Sequence, residues 1–114
     1  AKIIVACSQS KFDKGIIKIS KKIGLDYFAG SEQNVLSRYY YAAKKYKHKN
    51  ILRITADCPL IDPDIVDKLI YNFFKKKVDY ASNAMPPTFP DGLDVEMFNF
   101  LTLKKTFQKK RMLN

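Results

Sequence analysis

The sequence is poor in the residues from which several common kinds of site are built. It contains no tryptophan, one histidine, 2 cysteines and 4 glycines among 114 residues. With His48 as the single histidine and no Cys-x-x-Cys pair, neither a zinc site nor a nucleophile triad is expected. The scattered glycines form neither common phosphate-binding loop. Cys7 and Cys58 favour buried free thiols over a disulfide framework.

Long apolar runs are also missing. No run approaches the ~20 residues that cross a bilayer, and the opening stretch 1–7 is shorter than a secretory signal. A cytoplasmic protein is therefore expected. The composition, with 46% hydrophobic and 28% charged residues, is typical of a folded soluble chain, and the length predicts a single domain over residues 1–114.

Positive charge is in excess, with 21 basic and 11 acidic residues and a formal net charge of +10. The basic residues cluster near the C-terminal ends of predicted helices, at 44–49, 75–77 and 104–111. Cations in those places complement the helix dipole and keep the surface solvated. A surface that binds a polyanion is the alternative interpretation.

Apolar residues follow strand and helix spacing in turn along the chain. Apolar, β-branched runs predict strands over 2–6, 27–29, 51–55, 78–81 and 93–98. Three- and four-residue spacing predicts helices over 15–23, over 32–46 after an N-cap at Ser31, over 63–74 after an N-cap at Asp62, and from 100 onward. This order predicts an α/β fold with a mostly parallel sheet flanked by helices.

Asp57 follows the third predicted strand, and Pro59 holds the chain extended before the next helix. Ligands of open α/β sheets collect at the carboxyl ends of strands, where a carboxylate can hold Mg²⁺ and bridge to phosphates. The local sequence alone favours a plainer interpretation, in which Asp57 bonds the backbone amides of its own turn.

A second acidic feature, Asp94 and Glu96, follows the turn signal at 90–92. In a strand the two carboxylates project from one face, which suits a metal, sugar hydroxyls or an ammonium group. A solvated face of an edge strand is the alternative. The preceding loop favours a site, because sites gather on loops at strand ends.

Two arginines, Arg53 and Arg38, can each be interpreted either as a partner in a structural ion pair or as a contact to substrate. Arg53 is flanked by apolar residues in a predicted strand, so it is expected to pair with an acid such as Asp79 or Glu96. Contact with a substrate phosphate or carboxylate is the alternative for Arg53. Arg38 lies on the polar side of its helix and fits an ion pair and a phosphate contact equally well.

Four stretches in order carry a resemblance that extends to about Leu103. They are residues 30–39 (GSEQNVLSRY), 53–63 (RITADCPLIDP), 80–83 (YASN) and 90–98 (PDGLDVEMF). Together they resemble the cytidylyltransferase-like family of spore-coat polysaccharide biosynthesis proteins, relatives of the acylneuraminate and KDO cytidylyltransferases. The resemblance implies a Rossmann-like nucleotidyltransferase fold, of which residues 1–114 form a single partial domain.

The resemblance also implies a reaction. A sugar or sugar-acid hydroxyl attacks the α-phosphate of CTP and releases pyrophosphate, while Mg²⁺ neutralises phosphate charge. Asp57 matches the metal ligand and is the implied catalytic carboxylate. The implied nucleotide-binding residues are Gly30, Ser31, Glu32 and Arg38, and the implied substrate-binding residues are Asn83, Asp94 and Glu96.

The sequence departs from the family pattern in three places. The family's first strand and its basic, glycine-rich triphosphate loop have no counterpart before Ala1, and the family's C-terminal part has none after Asn114. Ser37 stands where the family has an acid. We therefore expect the isolated chain to be inactive, and whether it is an enzyme stays open.

A second function remains open beside nucleotidyl transfer. It is a non-catalytic basic α/β module that binds a polyanion or a partner subunit, although nucleic acid is not the expected partner. In either case a homo-oligomer is expected, because strands without neighbours leave sheet edges to cover.

Overall fold

The computed structural model describes residues 1–84 and 86–113. The chain divides into two compact units. Unit 1 is Ala1–His48 together with the residues from Lys104 onward, and unit 2 is Lys49–Leu103. Within the described ranges, every helix is too short or too polar to cross a membrane.

Unit 1 is built on two parallel strands. Its elements are strand β1 (Ile4–Ser8), a 3-10 turn (Lys11–Asp13), helix α1 (Lys14–Lys22), strand β2 (Asp26–Gly30) and helix α2 (Val35–Tyr46). The crossover through α1 returns the chain to the same end of the sheet, as a parallel pair requires. The register pairs Ser8 with Gly30, so the carboxyl ends of β1 and β2 lie side by side.

Aromatic side chains hold the helices of unit 1 in place. The Tyr46 hydroxyl donates to the Tyr27 carbonyl oxygen at 2.8 Å, which ties the end of α2 to β2. Helix α4 (Phe100–Leu113) enters unit 1 with its C-terminal part. There the Phe107 ring stacks on Tyr40 with centroids 4.3 Å apart, and both side chains are buried. The apolar spacing in the sequence therefore predicted the contact faces of α2 and α4.

Unit 2 carries a three-stranded sheet in which one strand runs opposite to the other two. Its elements are strand β3 (Asn50–Arg53), helix α3 (Pro63–Lys75), strand β4 (Tyr80–Ser82) and strand β5 (Glu96–Asn99), with the order β3-β5-β4. β5 runs antiparallel to both neighbours, so only β3 and β4 share a direction. The chain joins β4 to β5 through a loop instead of a helix, and such a connection reverses the strand.

The predicted start of the helix at Asp62 is confirmed. The Asp62 carboxylate accepts from the Asp64 N–H at 2.9 Å, and Pro63 occupies the first turn. The predicted N-cap at Ser31 is wrong, because α2 begins three residues later. There Asn34 caps the helix by accepting from the Ser37 N–H at 3.0 Å.

Candidate active site

Asp57 lies in the turn between β3 and α3, and its side chain is exposed. The turn is closed by the Cys58 N–H, which donates to the Thr55 carbonyl oxygen at 3.0 Å. Asp57 Oδ1 accepts a short hydrogen bond from the Thr55 hydroxyl and lies 3.7 Å from the buried Cys58 thiol. The carboxylate is therefore oriented by its own turn, yet it faces solvent.

The same contacts favour the ionised form of Asp57. The Thr55 hydrogen bond is the main cause that holds the Asp57 pKa below its ordinary value, with smaller contributions from its own backbone amide, Cys58 and the positive charge of Arg53. An exposed carboxylate that stays ionised at neutral pH is a suitable oxygen ligand for Mg²⁺.

The donor set fits a magnesium ion that is held partly by substrate. The described part of the chain contains no cluster of three or more acidic, cysteine or histidine side chains that could hold a metal ion. Mg²⁺ is commonly bound through one or two carboxylates together with waters and substrate phosphates, and does not need a full protein cage. Asp57 alone therefore fits such a site.

Glu96 is engaged in contacts between strands. β3 and β5 pair Arg53 directly with Glu96, and Arg53 Nη1 lies 2.7 Å from Glu96 Oε1. The Tyr80 hydroxyl donates to Glu96 Oε2 at 2.9 Å. Burial is the main cause that raises the Tyr80 pKa, and the bond to Glu96 adds to it. The ion-pair interpretation of Arg53 is confirmed, with Glu96 as its partner.

Asn83 fixes the end of the long loop that precedes β5. Its side chain is 7% exposed. The Asn83 amide donates to the Leu93 carbonyl oxygen at 2.7 Å and accepts from the Val95 N–H at 2.8 Å. These side-chain contacts hold the backbone on both sides of residue 94, and β5 begins only at Glu96, so the predicted strand start at 93 is wrong.

Asp94 lies between the two residues that Asn83 holds. Its side chain is partly exposed, whereas the neighbouring Val95 is only 2% exposed. Val95 therefore anchors the segment in the core of unit 2 while Asp94 stays accessible. We call the two hydrogen bonds of the Asn83 amide to Leu93 and Val95 the Asn83 clamp. The only sequence signal for this clamp was the position of Asn83 directly after β4.

A groove of about 740 Å³ runs along unit 2 between α3, β4 and the loop that follows. Asn83, Thr88 and Phe89 contribute to its wall, together with α3 residues that include Lys68. Neither Asp57 nor Asp94 lines the groove. Of the predicted substrate-binding residues, Asn83 is the one that it contains.

The predicted nucleotide-binding residues belong to unit 1, at the carboxyl end of β2. Gly30 is buried, and a Cβ there would lie 2.8 Å from Phe28 Cε1 and 3.1 Å from Arg38 Cγ. Glycine is therefore required for Arg38 to approach the strand. Arg38 Nη1 donates to the Ser31 carbonyl oxygen at 3.2 Å. Glu32 is exposed in the same turn.

Asp13 is a further polar residue at this edge that the sequence did not single out. Its Oδ2 accepts from the Ser8 N–H at 2.7 Å. This bond is the main cause that lowers the Asp13 pKa, and the positive charge of Arg38 acts in the same direction. The only possible signal was its position in the loop after β1, where a capping acid is common.

Comparisons with known proteins agree with the predicted family. A family model described as cytidylyltransferase matches residues 1–112. An uncharacterized protein of Methanocaldococcus jannaschii is 36% identical over 109 residues, which are 96% of this chain and 44% of that protein. The spore coat polysaccharide biosynthesis protein SpsF of Bacillus subtilis is 32% identical over 79 residues, which are 69% of this chain and 33% of that protein.

The fold has a counterpart among solved structures. The structure of a cytidylyltransferase from Leptospira borgpetersenii serovar Hardjo-bovis is 35% identical, with a TM-score of 0.84, and the match covers 90% of this chain and 44% of that one. The chain thus spans less than half the length of these relatives. The likeness confirms the Rossmann-like nucleotidyltransferase fold. Together with the match over residues 1–112, it shows that the chain belongs to the cytidylyltransferase family.

Proposed function

We propose that the protein forms part of a nucleotidyltransferase that transfers a cytidylyl group from CTP to a sugar or sugar acid. The observation that carries the proposal is the exposed Asp57 after β3, oriented by Thr55 in a chain of the cytidylyltransferase family. In this reaction the sugar hydroxyl oxygen bonds to the α-phosphorus while the bond to pyrophosphate breaks, and the hydroxyl proton is released.

Asp57 is the residue that we assign to Mg²⁺. Bound there, Mg²⁺ would neutralise phosphate charge and so favour attack on the α-phosphorus. Thr55 and Cys58 both contact Oδ1, so Oδ2 is the oxygen that we assign to the ion. The role of the turn is to hold the carboxylate in one orientation before the ligand arrives.

The nucleotide would bind at the carboxyl end of β2. Arg38 offers a guanidinium group that the Ser31 carbonyl holds in place, and such a cation suits phosphate oxygens. Glu32 is an exposed acceptor of the kind that binds ribose hydroxyls. Gly30 lets these groups approach the strand closely.

The sugar would lie near Asp94, whose carboxylate is accessible and suits sugar hydroxyls. Asn83 positions this residue by clamping the backbone on both sides of it. Glu96 has both oxygens engaged by Arg53 and Tyr80, so we assign it to support of β5 beside the sugar site.

The proposed product class is supported by one relative. The name of the Bacillus subtilis relative refers to spore coat polysaccharide biosynthesis, which supports a role in surface-polysaccharide synthesis. A spore-coat role, a cytoplasmic location and a homo-oligomer stay predictions.

Metal binding at Asp57 can be tested with Mn²⁺ as a paramagnetic substitute for Mg²⁺. In NMR spectra of the ¹⁵N-labelled chain with CTP, low Mn²⁺ concentrations should broaden the amide signals of Asp57 and Cys58. Asp57→Asn should weaken this broadening at least about 10-fold, because ligand charge sets the affinity of such sites. Excess Mg²⁺ should reverse the broadening by competition.

Asp67 provides the matched control. It is an exposed carboxylate on α3 of the same unit, so Asp67→Asn removes the same charge at a distance from the turn. The control should keep the broadening at Asp57. Equal broadening in the Asp57→Asn protein would contradict the assigned metal site.

A further inference from the structure

The loop after β1 is joined to the end of β2 by the residue Gln9. The Gln9 N–H donates to the Gly30 carbonyl oxygen at 2.9 Å. Its side-chain amide donates from Nε2 to the Ala29 carbonyl oxygen at 3.3 Å. Gln9 therefore sits against the strand end that carries Gly30, while its side chain remains exposed to solvent.

Hydrogen bonds within the loop fix the four residues that follow. Ser8 Oγ accepts from the Ser10 N–H at 3.1 Å, and Ser10 Oγ accepts from the Phe12 N–H at 3.4 Å. The Ser8 N–H donates to Asp13 Oδ2 at 2.7 Å. We call residues 9–13, held in this way, the β1 loop. These bonds link its backbone to its own side chains.

Two side chains of the β1 loop have no role in the core. Phe12 is 80% exposed, and its ring contacts the Lys11 ammonium, which lies 5.4 Å from the ring centroid, so an aromatic surface remains available to a ligand. Gln9 uses one of its two amide N–H groups for Ala29. One N–H donor and the adjacent Oε1 acceptor remain available.

A neighbouring donor and acceptor match the edge of a nucleobase. Cytosine presents an amino donor beside a ring-nitrogen acceptor, as adenine does, whereas uracil presents a carbonyl acceptor beside an N–H donor. To pair with uracil, the Gln9 amide would have to turn over. That would bring Oε1 against the Ala29 carbonyl oxygen and leave two acceptors facing each other.

We propose that the β1 loop reads the base of the nucleotide. Gln9 selects an amino base, cytosine over uracil, through its free N–H and Oε1. Phe12 supplies an aromatic face on which the base stacks, an interaction that tolerates any base. This inference rests on the proposed nucleotidyl transfer. It adds Gln9 and Phe12 to the proposed nucleotide site and gives a physical reason for binding CTP in preference to UTP.

The test compares CTP and UTP binding to the full 114-residue chain by NMR titration in the presence of Mg²⁺. Gln9→Ala should weaken CTP binding about 10-fold and leave UTP binding within about 2-fold. Phe12→Ala should weaken both nucleotides by a similar factor. Gln108→Ala, which removes an exposed glutamine from α4 of the same unit, should change neither.

The outcomes separate this inference from the function on which it rests. If CTP shifts the Gly30 and Arg38 amide signals but Gln9→Ala leaves the CTP-to-UTP affinity ratio unchanged, Gln9 does not select the base while the nucleotide site stands. If Phe12→Ala alters neither affinity, Phe12 belongs only to the exposed apolar face that Ile16 and Ile19 continue on α1. If neither nucleotide shifts those signals, both proposals fail.

Discussion

Replacing Asn83 with alanine removes two hydrogen bonds at once, one of them buried and the other partly buried. The Asn83 amide satisfies the Leu93 carbonyl oxygen and the Val95 N–H at 2.7 and 2.8 Å. Alanine leaves both backbone groups without these partners, next to Val95, which is only 2% exposed. The variant also frees the segment that holds Asp94, so stability and loop order are expected to fall together.

The magnitude follows from the cost of an unsatisfied buried polar group, about 1–3 kcal/mol each. For two groups, with some relief from water, we expect unfolding free energy to fall by about 3 kcal/mol, a large part of the 5–15 kcal/mol typical of a domain. Urea unfolding followed by tyrosine fluorescence measures it, because the chain has 7 tyrosines and no tryptophan. Amide exchange at Val95 should accelerate about 100-fold.

Asn72→Ala is the matched control. The Asn72 amide donates to the Lys68 carbonyl oxygen at 2.9 Å on the exposed surface of α3, where water replaces the lost bond. Its effect on the unfolding free energy should stay within about 0.5 kcal/mol. If the Asn83→Ala protein had the same urea unfolding midpoint as the control and unchanged amide exchange at Val95, the stabilising role of the Asn83 hydrogen bonds would be refuted.

Two further predictions concern unit 1. Gly30→Ala should destabilise the protein and disorder the Arg38 side chain, because the added Cβ would lie 2.8 Å from Phe28 Cε1; an unchanged melting temperature and unchanged Arg38 signals would contradict this. Asp13→Asn should lower the urea midpoint at pH 7. Because the folded Asp13 pKa is depressed, its stabilisation is present above the unfolded pKa and is lost as the pH falls through the folded one. The difference between the two proteins should therefore shrink below about pH 4, and a pH-independent difference would exclude the charged bond to Ser8.

The sequence predicted those parts of the fold that depend on local patterns. The Asp62 cap and the first-turn Pro63 defined the start of α3, because both signals act within one helical turn. The N-cap of α2 was displaced from Ser31 to Asn34 since both residues are good caps. The Ser31 hydroxyl instead accepts from the Asn34 N–H at 3.0 Å, which makes a turn ahead of the helix.

The local sequence pattern did not predict the antiparallel direction of β5 or the residue at which β5 begins. An alternation of strands and helices favours parallel pairing, but the loop from Asn83 to Val95 lets β5 enter between β3 and β4 in the opposite direction. The late start of that strand is accompanied by the contacts of one buried amide, 10 and 12 residues away in sequence. Periodicity carries no information on such contacts.

The residues of the candidate site also differ in whether their contacts are local or distant in the sequence. Asp57 is oriented by Thr55 and Cys58, within three residues of each other, so its motif contains the whole arrangement. Glu96 depends on Arg53, 43 residues earlier. Residue spacing alone therefore gave Asp94 and Glu96 equal weight. The strand register shows that Glu96 is engaged by Arg53, whereas Asp94 remains accessible.

Arg53 acts on two acids of the candidate site, Glu96 and Asp57. Its guanidinium group is paired with Glu96 at 2.7 Å, and its positive charge also helps to lower the Asp57 pKa. A single arginine thus holds β5 against β3 and favours the ionised carboxylate that a metal requires. The Glu96 oxygens already bind Arg53 and Tyr80, whereas Asp57 is exposed and oriented by Thr55. Asp57 is therefore the carboxylate to which we assign Mg²⁺ in the proposed reaction.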